Sequence, residues 1–362
     1  MLRTREEAES GYAQAGRRFL FPAGLLLYCL LAVMAAGLAA GEPHLPVLAE
    51  LWSETPLPPG LILLVHAGLP LLPVTPLPVW LPAVLLFISL TGWWRLAFVW
   101  ISPPGRMIAA ASLLLLVPLA GQALTGGSLL PGLSLAVVPW LLLRADRAFR
   151  RPGVLNGILF GGVAAAGLLA DLSVSLLLAG LVMAAALESR CRTLLLTPRF
   201  FLPVLLMPLL AGGAVGGLIL LAGPLPPLLP DLTAASLPGG WVRRLTQGVA
   251  DFSQTALLLG FPFWLAALGL LWPALRRPSR PLSDWPVITA RAVAIGLLLV
   301  LLLTLGGRSG LVRPQHLVPL LAVVPMVTLA TIDRIALASW RRWAFVGVQA
   351  AAALLLLVWG LL

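Results

Sequence analysis

The feature that most constrains this chain is a recurrence of apolar runs along nearly all of its 362 residues, each about the length that crosses a bilayer's hydrocarbon core. The first covers roughly 19–40, and others follow at roughly 79–101, 107–123, 129–143, 154–171, 172–187, 200–222, 257–275, 291–306, 317–333 and 343–361. No stretch between them is long enough to fold as a separate soluble domain. Only 10% of residues are charged and 60% are hydrophobic, whereas soluble domains carry about a quarter charged residues. The expectation is therefore an all-α polytopic membrane protein, with residues 1–362 as a single membrane domain.

The basic residues orient it. The chain contains no lysine, so its 24 basic residues are all arginine, and most stand beside the apolar runs. A net charge of +11 would point to nucleic acid in a soluble protein. Here it reads as the positive-inside bias of a multi-pass membrane protein, and no nucleic-acid partner is expected. Arginine in place of lysine, with abundant Ala, Gly, Pro and Leu, fits a high-GC bacterial genome and hence a bacterial inner membrane. Arg3, Arg5, Arg17 and Arg18 keep the N-terminal segment, 1–18, in the cytoplasm.

The short apolar piece at 60–72 decides the parity. Pro58-Pro59 and Pro70 with Pro73 bracket it, and it is too short to span, so it reads as a surface helix within a first outer loop at 41–78. About eleven transmembrane helices then remain. Arg106, the cluster Arg144, Arg147, Arg150 and Arg151, then Arg190, Arg192, Arg199, Arg276, Arg277, Arg280, Arg291, Arg334, Arg341 and Arg342 all fall inside. Were 60–72 to cross, the 144–151 cluster would move outside. Trp93, Trp94, Trp100, Trp140, Trp272, Trp285, Trp340 and Trp343 fall near the inner boundary, as an aromatic belt would. Small-residue runs at 161–167 and 212–217 are expected to let helices pack closely.

The outer segments hold the residues with chemical potential. The first outer loop contains Glu42, His44, Glu50 and Glu54. A carboxylate there can act as a general base toward an acceptor hydroxyl, while a solvated loop also carries acids without chemistry. A second outer loop, 223–256, carries Arg243 and Arg244, and the last carries Arg308, Arg313 and His316. Guanidinium groups on the arginine-poor face can grip a phosphate by two parallel hydrogen bonds or snorkel to headgroups. Asp171, between two runs, is either functional or a turn cap. Cys29 and Cys191 suggest neither a disulfide nor a metal site, and no metal-ligand spacing or cofactor motif is apparent. Polarity confined to the outer rim disfavours a transporter, whose site would lie near the midplane.

Glu42 followed by Pro58-Pro59-Gly60-Leu61, then Leu141-Leu142-Leu143-Arg144, and finally Gly307 to Arg313 with Pro319-Leu320-Leu321, occur in a familiar order. This layout resembles the polytopic GT-C class glycosyltransferases, in the branch of polyprenyl-phosphate-sugar protein mannosyltransferases and aminoarabinose lipid A transferases. The resemblance implies a GT-C-like fold and transfer of a sugar from a lipid-phosphate-linked donor at the periplasmic face, with membrane lipids as further partners and no cofactor. It implies Glu42 as catalytic base and Arg313 as a phosphate contact. Glu50, Glu54, Arg243, Arg244, Arg308 and His316 would line the substrate. Pro43 and Gln315 stand where the family has an acid and an arginine, so a catalytically inactive scaffold or accessory subunit on the same fold is the second expectation.

Overall fold

A computed structural model describes residues 80–101, 130–222, 284–305 and 314–333, together with single helical positions between 242 and 351. Among the described residues the chain is all-helical, with no strand. In chain order the helices are α1 (Trp80–Trp100), α2 (Leu130–Arg150), α3 (Val154–Ala170), α4 (Val174–Leu187), α5 (Ser189–Leu195), α6 (Pro198–Ala222), α7 (Asp284–Leu305), α8 (Pro314–Leu321) and α9 (Val323–Ile332). They fall on the apolar runs expected at 79–101, 129–143, 154–171, 172–187, 200–222, 291–306 and 317–333. The remaining runs, the surface helix at 60–72 and the three outer segments expected to carry the site lie outside the described residues or reach them only at isolated positions.

Three boundaries differ from the hydrophobic pattern, each for a local reason. Helix α2 continues past the apolar run to Arg150 because Leu143-Arg144-Ala145 are strong helix formers. It stops where Pro152 disfavours a helical Arg151. The run at 317–333 is broken after Ala322: Pro325 has no N–H to offer the Leu321 carbonyl, so α8 ends and α9 restarts. The run at 172–187 continues through Glu188, in extended conformation, into α5 with a bend of 114°. Among the described residues one stretch, Trp285–Leu303, is long and apolar enough by itself to cross a membrane, and the bent α4–α5 pair passes only as a unit. Val84–Trp100, Val154–Ala170, Pro198–Gly213 and Leu317–Ala330 are apolar but shorter.

Packing follows chain order at first and then closes on itself. Helix α1 lies on α2, α2 on α3, and α3 on α6, while α4 lies on α7, and α9 touches both α7 and α1. Helix α8 packs on α2 and α4, burying Leu317 and Leu320 completely. Glycines set the tightest crossings. At Gly92 a Cβ would stand 2.8 Å from both the Pro139 ring and the Trp140 indole nitrogen. That open space lets the Trp140 N–H reach the Ile88 carbonyl of α1 at 3.1 Å, and Arg95 covers the same indole at 5.3 Å. At Gly161 a Cβ would stand 2.8 Å from the Pro203 and Val204 carbonyl oxygens of α6. Pro208 deprives the Val204 carbonyl of its helical donor, so the carbonyl can face a neighbour. At Gly180 a Cβ would collide with the Ala292 carbonyl of α7.

The small-residue runs therefore divide. Gly161 and Gly167 make close crossings, but Gly162, Gly212 and Gly213 have open space where a Cβ would go. The tryptophans divide as well. Trp340 and Trp343 are exposed, whereas Trp93, Trp100 and Trp285 are buried in the core rather than arrayed in a belt. Their large apolar faces are taken up by the packing of the helices themselves.

Candidate functional site

Two polar groups are built into the described helices, one at each end. Asp171 closes α3 and opens the turn to α4. Its backbone is extended (φ −162°) and its N–H bonds the Gly167 carbonyl at 2.8 Å. One carboxylate oxygen accepts the Ser173 N–H at 2.8 Å, satisfying a donor that the start of α4 would otherwise leave orphaned. The other accepts the Ser134 hydroxyl of α2. Asp171, Ser134 and Ser173 are all buried. Asp171 is thus the turn cap, one of the two readings its position allowed, and it also fastens the turn to a third helix. Leu320 of α8 and the Leu176 carbonyl of α4 both border Gly296. This brings α8 toward the first turn of α4 and so toward the Asp171 end.

At the opposite end stands Asp146, fully buried. It accepts the Trp100 indole N–H from α1 at 3.3 Å and pairs with Arg150 one turn along α2, the spacing at which helix side chains meet. Beside it Phe149 makes edge contacts with Phe160 of α3 and Phe200 of α6, and a tilted contact with Trp285 of α7, at centroid separations of 5.0–6.4 Å. Glu188, at the α4–α5 bend, faces Arg291 of α7 at 3.6 Å. A cavity of about 150 Å³ opens among Phe149, Arg150, Glu188, Arg190, Cys191, Trp285 and Ile288. Sequence reading missed this assembly. Its available signal was Asp146, the lone acid in the 144–151 arginine cluster, four residues before Arg150.

Of the residues expected to form the site, Glu42, Glu50, Glu54, Arg243, Arg244, Arg308 and Arg313 lie outside the described residues. So does the expected convergence of Glu42 and Arg313 on one cavity. His316 lies in the first turn of α8, one residue before the buried Leu317. Among the described residues no group of three or more His, Cys, Asp or Glu side chains is placed to hold a metal ion. No protein-family profile matches the chain, and neither does any curated protein or solved structure. The glycosyltransferase resemblance therefore rests on those sequence segments and their order alone.

Proposed function

We propose that the chain is a polytopic inner-membrane protein of about eleven spans with a cytoplasmic N-terminus. We further propose that it is a divergent glycosyltransferase taking a sugar from a polyprenyl-phosphate donor at the periplasmic face. What supports the membrane reading is the sorting of charge along the described helices. Arg147, Arg150, Arg190, Arg192, Arg199 and Arg291 all belong to the end that holds Asp146 and the Phe149 cluster, and among the described residues no arginine stands beside Asp171 at the other. Alternating passage with the positive-inside bias produces this pattern. Outward-facing Leu155, Leu187, Leu202, Leu209, Leu210 and Leu302 suit a lipid surround.

The catalytic reading adds one observation. Arg313 immediately precedes α8, whose Leu320 reaches the Asp171 end, the end to which the threading also sends the first loop with Glu42. A base and a cation on one face are what inverting transfer requires. Glu42 takes the acceptor proton, and Arg313 stabilises the departing lipid phosphate. Purified protein should transfer label from a radiolabelled polyprenyl-phosphate sugar, and Glu42→Gln should slow transfer by about 10²–10⁴-fold. Unchanged transfer in that variant removes Glu42 as the base.

One observation favours the second reading, a catalytically inactive scaffold or accessory subunit. Asp171, the described acid at that end, commits both its oxygens to Ser134 and Ser173. If transfer is absent and the protein co-purifies with a separate transferase, the scaffold reading replaces the first.

A further inference from the structure

The cavity at the arginine-rich end is separate from the proposed catalytic face, and its chemistry points to a ligand. We propose that it binds a phosphate group, carried by an acidic lipid headgroup or by a soluble phosphate compound. The phosphate chemistry rests on the cavity alone, and only the lipid source rests on the membrane reading.

The walls come from four elements: Phe149 and Arg150 from α2, Glu188 from the α4–α5 bend, Arg190 and Cys191 from α5, and Trp285 and Ile288 from α7. Its volume of about 150 Å³ is far above the roughly 10–15 Å³ that a single water needs, so a phosphate group fits. Phe149, Cys191, Trp285 and Ile288 are buried and form an apolar wall, where charge-assisted hydrogen bonds gain strength from the lower dielectric.

The charges on that wall favour an anion. Arg150 uses its Nε on Asp146, which leaves its two terminal amines to donate. Arg190 makes no ion pair among the described residues. Glu188, the acid on the wall, is faced by Arg291 at 3.6 Å, which offsets its repulsion. On the wall itself Arg150 and Arg190 outnumber Glu188. Two guanidinium groups bordering one small cavity suit phosphate oxygens better than ammonium groups would. The positive-inside bias accounts for arginines at this end, but not for a pair of them bordering one cavity with aromatic walls.

The test is a binding titration of the purified full chain in a neutral detergent, with phosphatidylglycerol, phosphatidylcholine and inorganic phosphate as separate probes. Phosphatidylglycerol should bind more tightly than phosphatidylcholine. Arg190→Gln should weaken binding by about tenfold, the loss of one charge-assisted hydrogen bond. Arg199→Gln, also exposed, on α6 but outside the cavity wall, should change it by less than about twofold. Arg190→Lys should fall between, because it keeps the charge and loses the fork. Competition by millimolar inorganic phosphate identifies a soluble ligand; its absence identifies a lipid headgroup. Equal effects of Arg190→Gln and Arg199→Gln overturn the site in favour of diffuse charge, and phosphatidylcholine binding as well as phosphatidylglycerol overturns a site selective for an anion. So does a wild-type chain that binds none of the probes. Should Arg190→Gln fail to yield monodisperse protein, Arg190→Lys binding like wild type is the overturning result. A chain that stays in solution without detergent refutes the membrane reading separately, and the inorganic phosphate arm still decides the site.

Discussion

The two ends of the bundle are held together by different physics. At the Asp171 end a buried carboxylate replaces water for two donors, Ser134 and Ser173, and enters no ion pair among the described residues. At the Asp146 end the order comes from aromatic packing around Phe149, and the charges gathered over it are largely at the surface. The side chain of Arg150 is 48% exposed, and the Glu188–Arg291 pair is 40–50% exposed. At the first end the Asp171 carboxylate is spent on these two donors, while the buried Ser173 hydroxyl has no hydrogen-bond partner among the described residues. The second keeps guanidinium groups in reserve over an apolar floor. A polar cluster can therefore be a lock or a site, and what distinguishes them is whether its hydrogen-bonding capacity is already spent.

The largest expected effect breaks the aromatic end. Phe149→Ala removes the ring that touches α3, α6 and α7 at once and should cost about 3–5 kcal/mol. It should read out as a large drop in thermal midpoint in detergent. Between the ends, Gly180→Ala drives a methyl group into the Ala292 carbonyl and should cost about 3 kcal/mol, whereas Gly212→Ala, with open space around it, should be neutral or gain up to about 1 kcal/mol. The same melting series separates them. If the two glycines behave alike, the α4–α7 crossing is looser than described.

Asp171→Ala comes next. It strands the Ser134 hydroxyl and the Ser173 N–H, and about 2 kcal/mol is expected; faster amide exchange in the α3–α4 turn is the local signature. The smallest effect is Glu188→Gln at the other end, below about 0.5 kcal/mol, because a half-exposed pair at 3.6 Å contributes little. A Glu188 effect as large as that of Asp171 would erase the contrast between the ends.

Much of the helical layout was legible in the sequence, because an apolar run between proline or arginine boundaries has few alternatives to a helix. The Asp171 turn was legible as a pair of options, and only its partner Ser134, 37 residues away, decides between them. The Asp146 end was less legible. Trp100 and Asp146 are 46 residues apart, and nothing in their local patterns announces that α1 and α2 bring them together. Glycine runs also predict less than they suggest: Gly161 and Gly162 are neighbours, yet only the one facing α6 governs a crossing. Tryptophan position also says nothing of burial: Trp93, Trp100 and Trp285 are buried by helix packing, whereas Trp340 and Trp343 are exposed.

The account's central claim is that the arginine-rich end faces the cytoplasm and the Asp171 end the opposite side. Single-cysteine labelling of the full chain in intact cells, in a background lacking Cys29 and Cys191, tests it most directly. Gly153→Cys, in the exposed turn between α2 and α3, should react with a membrane-impermeant maleimide only after permeabilisation. Ser236→Cys, in the segment expected outside, should react without it. The reverse pattern, or labelling of both positions in intact cells, would contradict the account.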